Sequence, residues 1–140
     1  MRNFVLLLAL SLSTATAASP LTTKEETSAL CSAAASKLGS GETDAAFDVL
    51  MPNWPLPPEE LKSLSYQTKS QLAMVSARFG APLGVEFIKS TSAGQSFVQH
   101  LYLIKFSNHA LRFSCIFYKP KEVCIVNGVT WDDQTAKLFE

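Results

Sequence analysis

Apolar residues recur at helical spacing in the first half of the chain and alternate with polar residues in the second half. The segment 22–26 is typical of a helix start, with a capping box formed by Thr22 and Glu25 or by Thr23 and Glu26. Glycines at 39 and 41 end this first helix, and a second helical piece covers residues 42–51. A third helix begins at Pro58, after a stiff proline-rich linker. Its apolar stripe consists of Leu61, Leu64, Thr68, Leu72, Val75 and Phe79.

The second half of the chain predicts about four β-strands. They cover residues 85–90, 97–106, 110–119 and 123–131, with turns between them. The tail 132–140 is expected to dock Leu138 and Phe139. Helices followed by a run of strands indicate an α+β fold, in which an antiparallel sheet carries the helices on one face.

Ser107 and Asn108 predict a two-residue hairpin loop between the second and third strands. This loop places His100 opposite Cys115 and Tyr102 opposite Phe113, on the face that receives the helices. A second two-residue loop at 120–121 would add Cys124, Val126, Gly128 and Thr130 to the same face and would set Cys124 opposite Phe117.

The other face of the predicted sheet is too apolar for a face that water covers. A large apolar patch on a small domain indicates an interaction surface, so we expect a homodimer through this face. The expected interface residues are Leu101, Leu103, Ile116, Tyr118, Ile125 and Trp131. In the alternative, the loop near Trp54 or the C-terminal tail covers the face.

The first residues predict a cleavable export signal in residues 1–18. Arg2 is followed by a short apolar core and by Ala15-Thr16-Ala17, which fits the usual cleavage pattern after Ala17 or Ala18. The apolar core is about half as long as the roughly 20 residues that a spanning helix needs. We therefore expect a single mature domain at 19–140, without a membrane anchor, that is periplasmic or secreted.

Composition narrows the choice of partners. The chain has 140 residues, 12 basic and 12 acidic, and no basic cluster. This balance argues against nucleic acid or an anionic membrane as a partner. Hydrophobic residues make up 47% of the chain, which argues against disorder.

His100, Tyr102 and Cys115 are the most suggestive group for chemistry, because a thiol opposite an imidazole resembles an activated nucleophile. Neither an orienting third group nor an oxyanion site is visible, so we assign no catalytic residue. Trp54, set among prolines, either binds a ligand or plugs the space between helix and sheet. Two histidines and three scattered cysteines have no zinc-ligand spacing, and no sequence pattern indicates a metal or a cofactor.

The three cysteines allow one disulfide and one free thiol in an oxidising compartment. Cys115 and Cys124 share a face, and we favour their pairing although they lie diagonally. Cys31, on the first helix, is the alternative partner for either strand cysteine.

Several segments together resemble small exported bacterial proteins of uncharacterised function with a nuclear transport factor 2-like, or cystatin-like, fold. They include residues 41–47, the Trp-Pro-x-Pro-Pro linker at 54–58, residues 78–86, 117–120 and 129–133. The resemblance implies a curved sheet that wraps a helix around a cone-shaped pocket, and often a dimer. Residues 95–99 lack the Q-x-V-x-G pattern of cystatin inhibitors, so protease inhibition is disfavoured.

We therefore expect a non-enzymatic domain that binds a small apolar ligand or a protein partner. The ligand would contact His100, Tyr102, Phe113 and Trp54, in a pocket between the helices and the sheet. One alternative is a small acid/base enzyme that uses His100 or Tyr102. Another is a purely structural dimerisation module.

Overall fold

The structure, a computed structural model, describes residues 18–140 and shows three helices followed by four strands. This confirms the predicted α+β class. The helices are α1 (Lys24–Gly39), α2 (Thr43–Leu50) and α3 (Pro58–Phe79), with a 3₁₀ turn at Met51–Asn53. The strands are β1 (Pro82–Ala93), β2 (Phe97–Phe106), β3 (Ala110–Tyr118) and β4 (Ile125–Asp132), and a second 3₁₀ turn follows at Thr135–Phe139.

The predicted export signal lies outside the described residues except for its last position, Ala18. Within residues 18–140, no helix is long and apolar enough to cross a membrane.

Local sequence fixes the helix ends. The capping box of α1 is formed by Thr23 and Glu26, since the Thr23 hydroxyl accepts from the Glu26 N–H at 3.1 Å and the Glu26 carboxylate accepts from the Thr23 N–H at 3.0 Å. Pro58 opens α3, where its missing N–H costs no helical hydrogen bond. Gly80 ends α3 with a φ of 88°, a conformation that favours glycine.

The sheet is antiparallel, with its strands in the order β1-β2-β3-β4. Between β2 and β3 the predicted hairpin is confirmed: the Phe106 N–H donates to the His109 carbonyl at 2.9 Å, and His100 pairs with Cys115. β1 lies at one edge of the sheet and has a bulge between Phe87 and Lys89.

The predicted register between β3 and β4 is wrong. Phe117 pairs with Val126 instead of Cys124, because the connection between the strands is longer than two residues. A bulge follows at once, since Ile116 pairs with Gly128. An extra residue in one strand moves all later side chains to the opposite face. Trp131 therefore packs against the core beneath the helices and does not belong to the expected interface.

The core lies between the helices and the face of the sheet that carries His100 and Phe117. Helix α1 approaches this face closely because its inner positions are small: Ala34 and Ala35 are completely buried. At Gly39 an added Cβ would lie only 3.1 Å from Cγ2 of Ile104. Small residues at these positions leave little space under α1.

The outer face of the sheet is partly covered by the C-terminal tail, as the alternative reading expected. The Lys89 ammonium donates to the Glu140 backbone carbonyl at 2.7 Å, so the tail ends at β1 after leaving β4. Leu101 of the outer face is buried, which removes it from the expected interface. Leu138 is half-buried, whereas Phe139 is 91% exposed and does not dock as expected.

An ion pair fixes the start of the tail. The Arg112 guanidinium binds both carboxylate oxygens of Asp132, at 2.8 and 2.6 Å, and Asp132 also accepts from the Gln134 N–H at 2.9 Å. Hydrogen bonding to Arg112 lowers the pKa of Asp132.

The other end of the outer face stays open. Phe97 stacks on Tyr118 with ring centroids 4.9 Å apart, and Phe97 is 38% exposed. Leu103, Ile116, Tyr118 and Ile125, which the sequence also placed in an interface, are half-buried.

Candidate functional site

His100 is sealed in the core and hydrogen-bonded through both ring nitrogens. Nε2 lies 2.8 Å from the Thr27 hydroxyl, and Nδ1 lies 2.6 Å from the Ser90 hydroxyl. Thr27 donates its one hydroxyl hydrogen to the Lys24 carbonyl, so Nε2 donates to Thr27 and Nδ1 accepts from Ser90. Burial lowers the pKa of His100, with a smaller effect from Lys24. The imidazole is therefore a neutral group that ties β1 and β2 to α1.

Tyr102 has a similar role one step along β2. Its hydroxyl donates to the Ser28 carbonyl at 3.0 Å and lies 2.9 Å from the Ser28 hydroxyl. The residue is only 5% exposed. Tyr102 and His100 thus serve as attachments between the sheet and the first turns of α1.

The disulfide joins Cys31 to Cys115, with the Cα atoms 5.8 Å apart, so the favoured pairing of Cys115 with Cys124 is wrong. Cys124 lies outside the β3–β4 ladder, where its N–H donates to the Leu21 carbonyl at 2.7 Å, and Cys115 lies opposite Val129 instead. Cys124 is a buried free thiol whose pKa is raised by burial.

Trp54 and Phe113 fill the interior where a ligand was expected. Trp54 is 7% exposed and stacks on Phe47 with ring centroids 6.2 Å apart, which makes it a hydrophobic plug. Phe113 borders a void of only about 10 Å³, shared with Trp131. One water needs at least that much space, so a ligand does not fit here.

A larger cavity lies at the rim of the fold, between α3, the α1–α2 turn and the start of β1. We call it the α3 groove; its volume is about 410 Å³. Its walls are mainly apolar or small side chains, from Leu38, Gly39, Gly41, Leu72, Ala73, Val75, Gly80, Pro82 and Phe106. Its polar residues are Ser40, Thr43, Lys69 and Ser76. None of the four predicted ligand-binding residues lines it.

The groove exists because α3 is anchored at its ends and packs only partly against the rest of the fold in its middle, where Leu72 and Val75 touch the edge of the core. At the first end Leu61 and Ser65 are buried, and at the far end Phe79 packs edge-on against the His109 ring, 4.5 Å between centroids. From residue 66 to residue 78, every position of α3 is half-buried or exposed. The stripe residues Leu72 and Val75 therefore face the groove and lack a full layer of protein over them.

One ion pair stands at the groove. The Lys69 ammonium donates to Asp44 of α2 at 2.8 Å, and the other oxygen of Asp44 accepts from the Ser65 hydroxyl at 2.8 Å. These hydrogen bonds lower the pKa of Asp44, and the bond to Asp44 raises the pKa of Lys69. Asp44 and Lys69 are thus both ionised at neutral pH and paired with each other.

Sequence reasoning found the apolar stripe of α3 but connected no ligand site with it. The glycines at 39, 41 and 80 were interpreted only as helix ends, and Ala73 was not singled out. An apolar stripe flanked by small residues was the one signal of a groove. Within residues 18–140, no group of three or more His, Cys, Asp or Glu is placed to hold a metal ion.

No protein family and no curated protein matches this chain by sequence. Among solved structures, it is similar to a Campylobacter jejuni protein that carries the provisional name of NTF2-like transpeptidase. The TM-score is 0.51 at 18% identity, and the match covers 74% of this chain and 97% of that one. The likeness shows a nuclear transport factor 2-like fold, which confirms the fold expected from the sequence.

Proposed function

We propose that the domain binds a small apolar molecule in the α3 groove and performs no chemistry on it. The observation that carries this proposal is a groove of about 410 Å³ with mainly apolar walls. Ligand pockets typically measure roughly 300–1,000 Å³ and contain few polar groups. A volume near the lower limit favours a molecule with one hydrocarbon chain or one flat, fused ring system.

The construction of α3 supports the same proposal. A helix that is fixed at Leu61 and Phe79 holds Leu72 and Val75 over the groove without sealing it. A bound apolar molecule would remove the exposed parts of these side chains from water. That burial stabilises the complex by about 25 cal/mol for each Å² of apolar surface.

A matched pair of variants on α3 tests the proposal. Ala73 lines the groove, whereas Ala77, one turn later, is exposed and does not. We expect Nile red, an uncharged probe that fluoresces in apolar sites, to bind the native protein saturably with one site. Ala73→Trp should abolish this binding by filling the groove, and Ala77→Trp should leave it unchanged.

Two results would contradict ligand binding in the groove. One is the absence of saturable Nile red binding to the folded native protein. The other is equal binding by the two tryptophan variants, which would place the probe elsewhere. Circular dichroism of both variants establishes that they are folded.

The acid/base enzyme expected as an alternative is not supported, because both residues it would use, His100 and Tyr102, are buried and hydrogen-bonded. The transpeptidase name of the Campylobacter jejuni protein refers to that protein. At 18% identity the likeness supports the fold alone, so we do not extend the activity to this chain.

As a second function we propose self-association through the open end of the outer face. The stacked and partly exposed pair Phe97 and Tyr118 favours it, together with a shallow groove of about 230 Å³ beside Ile116. Ile116→Glu should convert a dimer to a monomer in light scattering. Met74→Glu also places a charge at an exposed apolar position, but on α3, and it should leave the dimer intact. A native protein that is monomeric at high concentration would refute this proposal.

We also propose that the protein is exported, with its signal removed after Ala17 or Ala18. The pattern of residues 1–18 and the disulfide support this, because disulfides persist mainly in oxidising compartments. Intact-mass measurement of protein recovered from the periplasm or medium should show the loss of these residues. Full-length protein found only in the cytoplasm would refute the proposal.

A further inference from the structure

The N-terminus of α2 borders the α3 groove and is not capped by any side chain in the described part of the chain. Glu42, at the N-cap position, forms no capping hydrogen bond. Its carboxylate instead accepts from the Ser40 hydroxyl at 2.9 Å and pairs with Lys37 at 3.5 Å. The first N–H groups of a helix have no partner within the helix, and those of α2 have none among residues 18–140, so they can donate to another molecule.

Thr43, the first residue of α2, supplies a second donor at the same place. It is only 3% exposed and lines the groove, yet its hydroxyl has no hydrogen-bond partner within residues 18–140. Fully buried side-chain oxygens and nitrogens in this part of the chain all have partners. The Thr43 oxygen is therefore not fully sealed, and the groove is the cavity that this residue lines. A hydroxyl that has no partner and reaches a groove, on a residue that is otherwise almost completely buried, indicates a position for a polar ligand atom.

The charges around this end of the groove determine the kind of ligand atom. Glu42 and Asp44 lie on either side of Thr43 in the sequence, and each is paired with a lysine, Glu42 with Lys37 and Asp44 with Lys69, the one cation of the groove lining. A carboxylate in the ligand would lie beside these two acids and would find no unpaired cation in the lining to bind it. A cationic group has no lone pair to accept from the free N–H groups. A neutral acceptor, such as a carbonyl or ester oxygen, avoids both penalties.

We infer that the α3 groove binds a neutral, single-chain amphiphile whose carbonyl or ester oxygen accepts hydrogen bonds from Thr43 and the N-terminus of α2. Its hydrocarbon part lies along Leu72 and Val75. This inference rests on the proposed function and adds the chemical class of the ligand.

The test is a displacement of Nile red from the native protein by three probes with the same chain, at neutral pH. The probes are methyl decanoate, decanoate and decyltrimethylammonium. We expect the ester to displace the dye at the lowest concentration. Decanoate that binds as tightly as the ester, or more tightly, would overturn the inference, and so would tighter binding of the cation.

Variants of Thr43 identify the donor. Thr43→Val keeps the shape and removes the hydroxyl, so it should weaken binding of methyl decanoate about five-fold, the usual effect of one neutral hydrogen bond. Thr43→Ser retains the hydroxyl and should retain the affinity within about two-fold, since Thr43 is only 3% exposed and its methyl group therefore gains little further burial when a ligand binds. Thr68→Val is the matched control, because Thr68 is half-buried on α3 and outside the groove. Native affinity in a folded Thr43→Val protein would overturn the inference.

The two proposals fail in different ways. If Nile red does not bind, or if Ala73→Trp does not block it, the groove is not a ligand site and the proposed function is wrong. If the dye binds and is blocked but the three head groups compete equally, the groove binds apolar molecules and only the assignment of the head group is wrong. Should Thr43→Val fail to fold, the order of the three probes on the native protein decides.

Discussion

The disulfide between Cys31 and Cys115 should supply a large part of the stability of the domain. It spans a sequence separation of 84 residues. The loop-entropy relation gives about 4.5 kcal/mol at 25 °C for a cross-link of this span. Domains of this kind have free energies of unfolding of about 5–15 kcal/mol, so the reduced protein is expected to be marginally stable.

The alternative pairing of Cys115 with Cys124 predicts a smaller effect. Those residues are only nine positions apart, and the same relation then gives about 2.6 kcal/mol. The loss on reduction therefore distinguishes the two pairings by about 2 kcal/mol.

Urea unfolding of the oxidised and reduced protein measures this loss, with fluorescence from Trp54 and Trp131 as the signal. Cys31 and Cys115 are completely buried, so reduction has to be carried out in denaturant, followed by refolding in reductant. Reduction also expands the unfolded chain and should increase the denaturant dependence of the free energy. Titration of thiols in the unfolded state should find one before reduction and three after it.

Cys124→Ala is the control, because it removes the free thiol and leaves the disulfide between Cys31 and Cys115 intact. The variant should lose about 4.5 kcal/mol on reduction, as the native protein does. The reasoning fails if Cys124→Ala abolishes the effect of reduction, since Cys124 would then be half of the bond. A loss below about 1 kcal/mol for the native protein would also refute it.

Three further predictions concern stability. Because burial lowers the pKa of His100, this histidine takes up a proton in the unfolded chain at a pH where it stays neutral in the folded protein. The free energy of unfolding should therefore fall as the pH drops below about 6.5, by at most about 1.4 kcal/mol per pH unit. In urea unfolding, His100→Gln should make this free energy less dependent on pH between about pH 6.5 and 5. Asp132→Asn should lower the free energy of unfolding by about 1–2 kcal/mol and speed hydrogen exchange in the tail, because it weakens the pair with Arg112 and the hydrogen bond from Gln134. Unchanged exchange in the tail would contradict this. Gly39→Val should cost about 1–3 kcal/mol in the same unfolding assay, since its Cβ meets the buried Ile104, and an unchanged midpoint would show that α1 can move away from the sheet.

The β2–β3 hairpin was predictable because two local signals agree. A two-residue loop at Ser107 and Asn108 permits one register, and the alternation of apolar residues in both strands fits it. The next hairpin offers no such agreement. Both faces of β4 carry apolar residues, so the sequence does not reveal the bulge near Gly128 that turns Trp131 inward.

The site was harder to predict than the fold. Sequence reasoning looked for a ligand beside His100 and Tyr102, which are polar residues on a strand and natural candidates for chemistry. Their partners, Thr27 and Ser28, are small hydroxyl residues on a helix, and no local pattern connects residues so far apart in the chain. The α3 groove depends on the distance between two helices, which an apolar stripe alone does not determine.

The small residues of α1 also determine where this fold keeps its empty space. Ala34, Ala35 and Gly39 let the helix lie so near the sheet that the interior closes, and the accessible volume remains at the rim beside Leu72. In this architecture the size of the residues at three helix positions sets the distance between helix and sheet, and this distance decides between a central chamber and a peripheral one. A designer who wanted an internal chamber would place larger residues at these positions and would leave the strands as they are.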